Sequence, residues 1–219
     1  PKTMAVLSRK DIIDHINQGK LGFKPNLDGF QMQPHAIDLR LGTQFRIPRH
    51  WHMTKSGREA IVVDPFIESK DYNETVTLSP GQVFELLPGE KIIAETYEQV
   101  ELKCDNVMAI LFPRSSLNRR GLSLDLSGIV DIWYQGKLII PISNQTDQVI
   151  RLYPGERICQ LIFETISTPM DEDSASLHGL NKAKYITQDG PQFKQDRNEE
   201  IELIKSGQLD ELKTKFRLP

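Results

Sequence analysis

The chain of 219 residues is short of cysteine, of aromatic residues and of any excess charge. Its two cysteines, Cys104 and Cys159, can build neither a disulfide framework nor a four-cysteine zinc site. Both lie in apolar-flanked segments, so buried free thiols in a reducing, cytoplasmic setting are expected. Aromatics are 7% of the chain, too few for a base-stacking surface. Lys and Arg number 27 against 30 Asp and Glu, a net charge of −3. That balance excludes a protein that coats nucleic-acid polymers, though not a local basic site. No apolar run approaches the roughly 18 residues of a membrane span, and no charged-then-apolar signal segment opens the chain, so no membrane partner is expected. His-Glu-x-x-His, Cys-x-x-Cys, Gly-x-Ser-x-Gly, Gly-x-Gly-x-x-Gly and the Walker loop are all missing. Their absence disfavours zinc deaminases, α/β hydrolases and P-loop enzymes. His50 and His52 stand two apart with no third ligand at a recognisable spacing, so no side-chain metal site is predicted.

The apolar share of 38% suffices for one sizeable core. Ser8 followed by Asp11, then Ile12, Ile13 and Ile16, predicts one short capped helix ended by Gly19 and Gly22. From about 36 to 166 the chain reads as short strands rich in Val, Ile, Leu and Phe. Turns such as Pro80-Gly81, Pro88-Gly89, Gly121, Gly128, Gly136 and Pro154-Gly155 separate them. Many short strands without interleaved helices predict a sandwich, barrel or jelly roll. Pro-Gly-Glu occurs at 88–90 and 154–156, which predicts two similar tight turns. Beyond Ser167, Met170–Ser176 reads as a polar loop or linker. A charged tail over 194–219 carries Ile201, Ile204, Leu209, Leu212 and Phe216 at near-helical spacing, broken near Ser206-Gly207.

Three clusters could carry chemistry. Arg114-Ser115-Ser116-Leu117-Asn118-Arg119-Arg120-Gly121 follows an apolar strand, and its guanidiniums and hydroxyls suit a small polyanion. A solvated basic turn has the same composition. In Gly128-Ile129-Val130-Asp131-Ile132-Trp133-Tyr134-Gln135-Gly136 a lone aspartate stands among apolar neighbours. It could orient a water or bond its own turn. Trp133 is expected to pack in the core. In Gln33–Gly42, Asp38 and Arg40 alternate with apolar residues on one strand face, which suits a salt bridge at a strand edge.

Together these clusters resemble the trimeric deoxyuridine triphosphatase (dUTPase) and deoxycytidine triphosphate (dCTP) deaminase superfamily. Met4–Ser8, Gln33-Pro34, Asp38-Leu39-Arg40-Leu41-Gly42 and Glu95–Leu102 are similar to its deaminase branch. Arg114-Ser115-Ser116 with Gly121, and Pro154–Phe163, resemble both branches. Lys184-Tyr185 with Gln188 and Gly190-Pro191 resembles the deaminases' C-terminal nucleotide lid. The resemblance implies a mainly β, distorted jelly-roll-like barrel or sandwich over 1–193, with its β core at 36–166 and its lid at 177–193. A short N-terminal helix and a helical 194–219 tail flank that core. It also implies a homotrimer with sites between subunits.

The resemblance also implies residue roles. Asp131-x-x-Tyr134-x-Gly136 matches the triphosphatase pattern, where deaminases usually place Trp or Phe at the tyrosine. The deaminase glutamate stands five residues after that glycine, and here that position is Pro141, which has no ionisable group. The expected activity is therefore hydrolysis of dUTP to dUMP and pyrophosphate with Mg²⁺. Asp131 would orient the water and Tyr134 would discriminate the sugar. Arg114, Ser115, Ser116 and Arg119 would bind phosphates, and Gln160 would line the site. The triphosphatases' glycine-rich C-terminal motif is not evident, so Lys184, Tyr185 and Gln188 would close the site instead. The alternatives are a dCTP deaminase, alone or bifunctional, and a catalytically silent nucleotide-binding relative.

Overall fold

The computed structural model describes residues 5–64, 66, 72–79, 81–126, 128–178, 181–182, 187–188 and 198–217. Helix α1 (Arg9–Asn17) starts where expected: the Ser8 hydroxyl accepts from the Asp11 N–H, and the Asp11 carboxylate accepts from the Ser8 N–H at 3.0 Å. Ile12 anchors it in the core. Gly19, at φ 70°, turns the chain out of the helix, but Gly22 does not end it. Gly22 lies in β1 (Leu21–Lys24), where a Cβ would come within 2.8 Å of the Glu101 carboxylate.

The main strands follow as β2 (Ile37–Pro48), β3 (Trp51–Thr54), β4 (Gly57–Ala60), β5 (Asn73–Thr77), β6 (Phe84–Leu86), β7 (Lys91–Leu102) and β8 (Val107–Pro113). After the short helix α2 (Ser115–Asn118) come β9 (Leu122–Leu124), β10 (Gly128–Val130), β11 (Gln135–Asn144), β12 (Ile150–Leu152) and β13 (Arg157–Thr165). The C-terminal part holds α3 (Glu172–Ala175), β14 (Leu177–His178), β15 (Asn181–Lys182), β16 (Thr187–Gln188), α4 (Asn198–Lys205) and α5 (Leu209–Lys215). No helix among the described residues is long and apolar enough to cross a membrane.

One large sheet runs β10-β8-β13-β2-β7-β11-β16, with β1 and β5 paired onto β7 and β2, and β9 onto β11. Its pairings are antiparallel except that of β11 with β16. The mainly β, curled antiparallel architecture expected of the dUTPase and dCTP deaminase type is what forms. Alternation drives it: Leu138, Ile140 and Ile142 of β11 face the core, while Lys137, Ile139 and Pro141 are half-buried on the other face. Leu39, Leu41, Phe45, Leu161 and Phe163 fill the interior, and Phe45 stacks on Phe84 at 4.6 Å between ring centroids. The two Pro-Gly-Glu turns are alike. Gly89 and Gly155 stand at φ 72° and 90°, and Glu90 and Glu156 each donate to the carbonyl three residues back.

Two irregularities interrupt the ladders. A bulge in β13 between Arg157 and Cys159 buries both Ile158 and Cys159, and leaves Arg157 beside Asp38. Pro141 ends a ladder: its carbonyl accepts from the Asp125 N–H at 3.2 Å, but it has no N–H to return the bond. β9 therefore stops at Leu124, while the pairing of β11 with β7, Pro141 facing Ile93, is undisturbed. In the tail, Gly207 at φ 74° separates α4 from α5 as the Ser206-Gly207 break predicts. Ile201 and Leu203 are buried, whereas Leu209 and Phe216 are exposed.

Candidate active site

Arg114 leaves the end of β8 in extended conformation and caps α2. Leu117, fully buried, pins this turn to the core and leaves Ser115, Ser116 and Arg119 exposed. Gly121 closes the turn at φ 84°, where a Cβ would lie 2.1 Å from Thr146 Cγ2. The three arginines differ in their commitments. Arg114 turns inward: Nη1 donates to the Arg157 carbonyl at 2.9 Å, and Nε lies 3.3 Å from Asp38 Oδ2. Arg120 is ion-paired with Glu156, so it leaves the predicted three-guanidinium cluster. Arg119 donates to the Ser115 hydroxyl at 3.2 Å and otherwise faces solvent. An incoming phosphate would thus meet Arg119, two hydroxyls and the outer edge of Arg114.

Asp38 organises this end. It is 1% exposed, and its Oδ2 takes Arg114, Arg157 at 3.2 Å and Gln33 at 3.2 Å. Burial raises its carboxyl above the usual carboxylate range despite the two guanidiniums. Its predicted partner Arg40 instead pairs with Asp28 at 2.8 Å, and β2 is interior rather than an edge. Gln160 is the register partner of both Asp38 and Phe112, so it shares their face of the sheet. Arg157 was not singled out from the sequence. Its signal was its place after Pro154-Gly155-Glu156, the turn that precedes the bulge.

The second cluster forms a tight turn that links β10, paired with β8, to β11, paired with β7. Val130 and Ile132 are buried anchors. The Tyr134 N–H donates to the Asp131 carbonyl at 3.2 Å, and the Tyr134 carbonyl accepts from the Leu102 N–H at 2.8 Å. The Tyr134 hydroxyl donates to the Lys137 carbonyl at 2.8 Å, and burial pushes its phenol far up, so it stays neutral. Asp131 is half-buried beside it. Trp133 is not a core residue but half-buried, with φ 65°. Beneath the turn, buried Glu101 accepts from Lys24 at 2.6 Å and from Gln135 at 3.3 Å, and pairs with Lys103. Hydrogen bonds from Lys103 and then Lys24 hold its carboxyl below its ordinary range. Of the expected lid residues, Gln188 lies in β16, in register with Gly136. Lys184 and Tyr185 lie outside the described residues.

The two clusters do not meet within one chain. Val130 faces Ala109 and Gly128 faces Leu111, so β10 runs towards the start of β8 and delivers Asp131 opposite Met108. Arg114 lies past the other end of β8, six residues on, or about 20 Å at 3.3–3.4 Å per residue. Neither can hydrogen-bond one triphosphate's α-phosphate region together with the other in the same chain.

Among the described residues no three His, Cys, Asp or Glu side chains are grouped to hold a metal. Asp38 Oδ1 has no hydrogen-bond partner, but it is sealed from solvent and flanked by guanidiniums, which would repel a dication. A Mg²⁺ here would have to be carried on the oxygens of a bound phosphate and on water, with Arg119, Ser115 and Ser116 the groups that would hold that complex.

A family model described as dCTP deaminase-like matches residues 6–166, which include both clusters and Gln160. A "dCTP deaminase, dUMP-forming" of Methanosphaera stadtmanae is 33% identical over 210 residues, 93% of this chain and 100% of that protein. Its namesake in Dictyoglomus thermophilum is 35% identical over 189 residues, 85% of this chain and 92% of that protein. A solved 2'-deoxycytidine 5'-triphosphate deaminase from Agrobacterium tumefaciens superposes with a TM-score of 0.58 at 24% identity. It covers 78% of this chain and 51% of that one, and shows the shared fold. With its strand order, its arginine turn and its Asp131 turn inside the matched span, the chain belongs to the dCTP deaminase-like family.

Proposed function

We propose that this protein forms dUMP from a pyrimidine deoxynucleoside triphosphate, and that the step its residues serve is hydrolysis of dUTP between the α- and β-phosphates. The observation that carries the reading is Pro141 in the position that the family resemblance assigns to the deaminase glutamate. A proline cannot take or give a proton, whereas the hydrolytic set of Asp131, Tyr134 and the arginine turn is complete in sequence.

Asp131 orients the attacking water and accepts its proton as the oxygen closes on the α-phosphorus. The neutral ring of Tyr134, fixed by its bond to the Lys137 carbonyl, forms a rigid wall against the deoxyribose and leaves no room for a 2′-hydroxyl. Arg119 and the hydroxyls of Ser115 and Ser116 hold the β- and γ-phosphates, and Arg114, steadied by Asp38, offers its outer edge. Gln160 completes the wall on the Asp38 face. Bound Mg²⁺ would neutralise phosphate charge that builds up on the leaving pyrophosphate. Most of the rate enhancement comes from positioning and charge stabilisation.

One active site needs two copies of the chain, because about 20 Å separates Asp131 from Arg114. The outer face of β10, β8 and β13 supports self-association: Ile129 is 68% and Phe112 43% exposed there. The homotrimer implied by the family resemblance would place the Asp131 turn of one subunit over the arginine turn of the next.

The relatives' names favour a second reading, a dUMP-forming dCTP deaminase. That reading requires an acid–base group elsewhere than residue 141. Separate incubation with dUTP and dCTP, Mg²⁺ present and products resolved, decides. We expect dUMP and pyrophosphate from dUTP, and unchanged dCTP. Uracil-containing product from dCTP puts the second reading first. Binding of both without turnover makes the chain a silent relative.

A further inference from the structure

Trp133 is the one non-glycine residue among those described with positive φ, at 65°. A large side chain avoids that conformation, which glycine or asparagine takes at little cost. Something must hold it there. The Trp133 indole Nε1–H donates to the Met170 carbonyl at 2.9 Å. The Met170 N–H in turn donates to the Asp105 carbonyl at 2.7 Å, in the turn between β7 and β8. One peptide segment after β13 is thereby tied both to the Asp131–Tyr134 turn and to the loop between β7 and β8. A cleft of about 580 Å³ lies here, lined by Lys103, Cys104, Asp105, Trp133, Met170 and Asp171 among others. The next residue along, Asp171, caps α3 by accepting from the Ser174 N–H at 2.7 Å. The same stretch of chain later returns as β16 and pairs with Gln135 and Gly136. The chain beyond β13 therefore touches this turn at both shoulders, Trp133 and Gln135.

We infer that the Trp133–Met170 hydrogen bond is a positioning contact for phosphoanhydride hydrolysis. It locks residue 133 in the left-handed conformation that sets Asp131 and Tyr134 at their mutual angle, and makes that angle depend on the seated 167–171 segment. Trp133 is thus a positioning residue, acting through Asp131 and Tyr134. The inference rests on the hydrolytic reading above for its substrate, but its geometry does not.

Trp133→Phe keeps a ring at positive φ and removes the N–H. Trp133→His keeps a donor on a smaller ring. Trp133→Gly relaxes the backbone and removes the contact. We expect Trp133→Phe to lower kcat about tenfold with KM within about twofold, as misplaced catalytic groups do. Trp133→His should recover part of the loss. Trp133→Gly should show the kcat loss even though its backbone strain is gone. Wild-type kcat in the folded Phe variant overturns the inference, as does a kcat loss that merely follows the loss of folded protein in all three. A second measurement does not need turnover. In a Trp51→Phe background Trp133 is the only tryptophan, and dUMP binding should shift its emission. No shift at saturating dUMP overturns the inference. A wild-type enzyme that leaves dUTP intact but shifts Trp133 emission with dUMP overturns the hydrolytic reading and spares the latch.

Discussion

Arg114 and Asp131 lie at opposite ends of β8, about 20 Å apart, although only sixteen residues of chain connect them. If the site is assembled from two subunits, variants defective at either end should complement each other. Asp131→Asn alone should lose 10²-fold or more of dUTP hydrolysis, roughly the worth of a positioned base. Arg119→Ala alone should be severely impaired at low substrate. Dissociated, mixed in equal amounts and reassembled, the two should recover about a quarter of the wild-type sites, by random assortment in a closed ring. No recovery would mean that Asp131 and Arg119 do not serve one shared site.

Arg119 and Arg120 are neighbours with different commitments, one bonded to a hydroxyl and the other paired with Glu156. Arg119→Ala should raise KM for dUTP about 10- to 100-fold, the loss of one or two charge-assisted hydrogen bonds. Arg120→Ala should change KM by less than about threefold, because a half-exposed surface pair contributes little. Steady-state kinetics on the two variants side by side checks the ranking.

Gly121→Ala should disturb fold and binding together. Its Cβ would meet Thr146 Cγ2 at 2.1 Å, and Thr146 is pinned by hydrogen bonds to Asn144 and Gln148. A positive φ adds strain, so a stability loss of about 1–3 kcal/mol is expected in urea denaturation. KM for dUTP should rise too, since Gly121 closes the turn that carries Ser115 to Arg119.

Glu101 makes part of the fold's stability pH-dependent. Its folded pKa is lowered, by hydrogen bonds from Lys103 and Lys24, so the unfolded chain binds the proton more tightly. Its contribution is complete above its ordinary value near 4.5 and is lost as pH falls through the folded value. Glu101→Gln should cost about 1–2 kcal/mol at neutral pH, and its deficit should shrink in acid. Buried Glu98 and Asp38, both raised by burial, act oppositely: their ionised forms cost stability as pH rises through their folded values. Urea midpoints of wild type and Glu101→Gln across pH 3–7 should converge at the acid end.

Much of this fold is legible in the sequence because alternation and Pro-Gly turns write it locally. The capped helix, the paired Pro-Gly-Glu turns and the tail break all depend on neighbours a few residues apart. β7 is harder to read beyond Ala94. Glu95, Glu98 and Glu101 interrupt its apolar pattern, yet all three are buried. Their partners Lys137, Gln31 and Lys24 come from 42, 67 and 77 residues away. The hairpin of β3 and β4 went unread because its strands are short and largely exposed. At the candidate site the sequence names the polar clusters but not which of their side chains pair. Asp38 meets Arg114 and Arg157 rather than Arg40 only because a bulge re-aims β13. The gap between Arg114 and Asp131 is a property of strand register, which no local pattern encodes.

Pro141 does more than withhold a carboxylate. Where that rung is missing, the chain leaves β11 after Leu124 and next pairs with β8 at Gly128. The peptide that leaves the arginine turn then leads into the Asp131 turn. A glutamate in its place would carry an N–H, able to return the bond to Asp125 and lengthen β9. Residue 141 thus bears on where β9 ends as well as on which side-chain chemistry stands there.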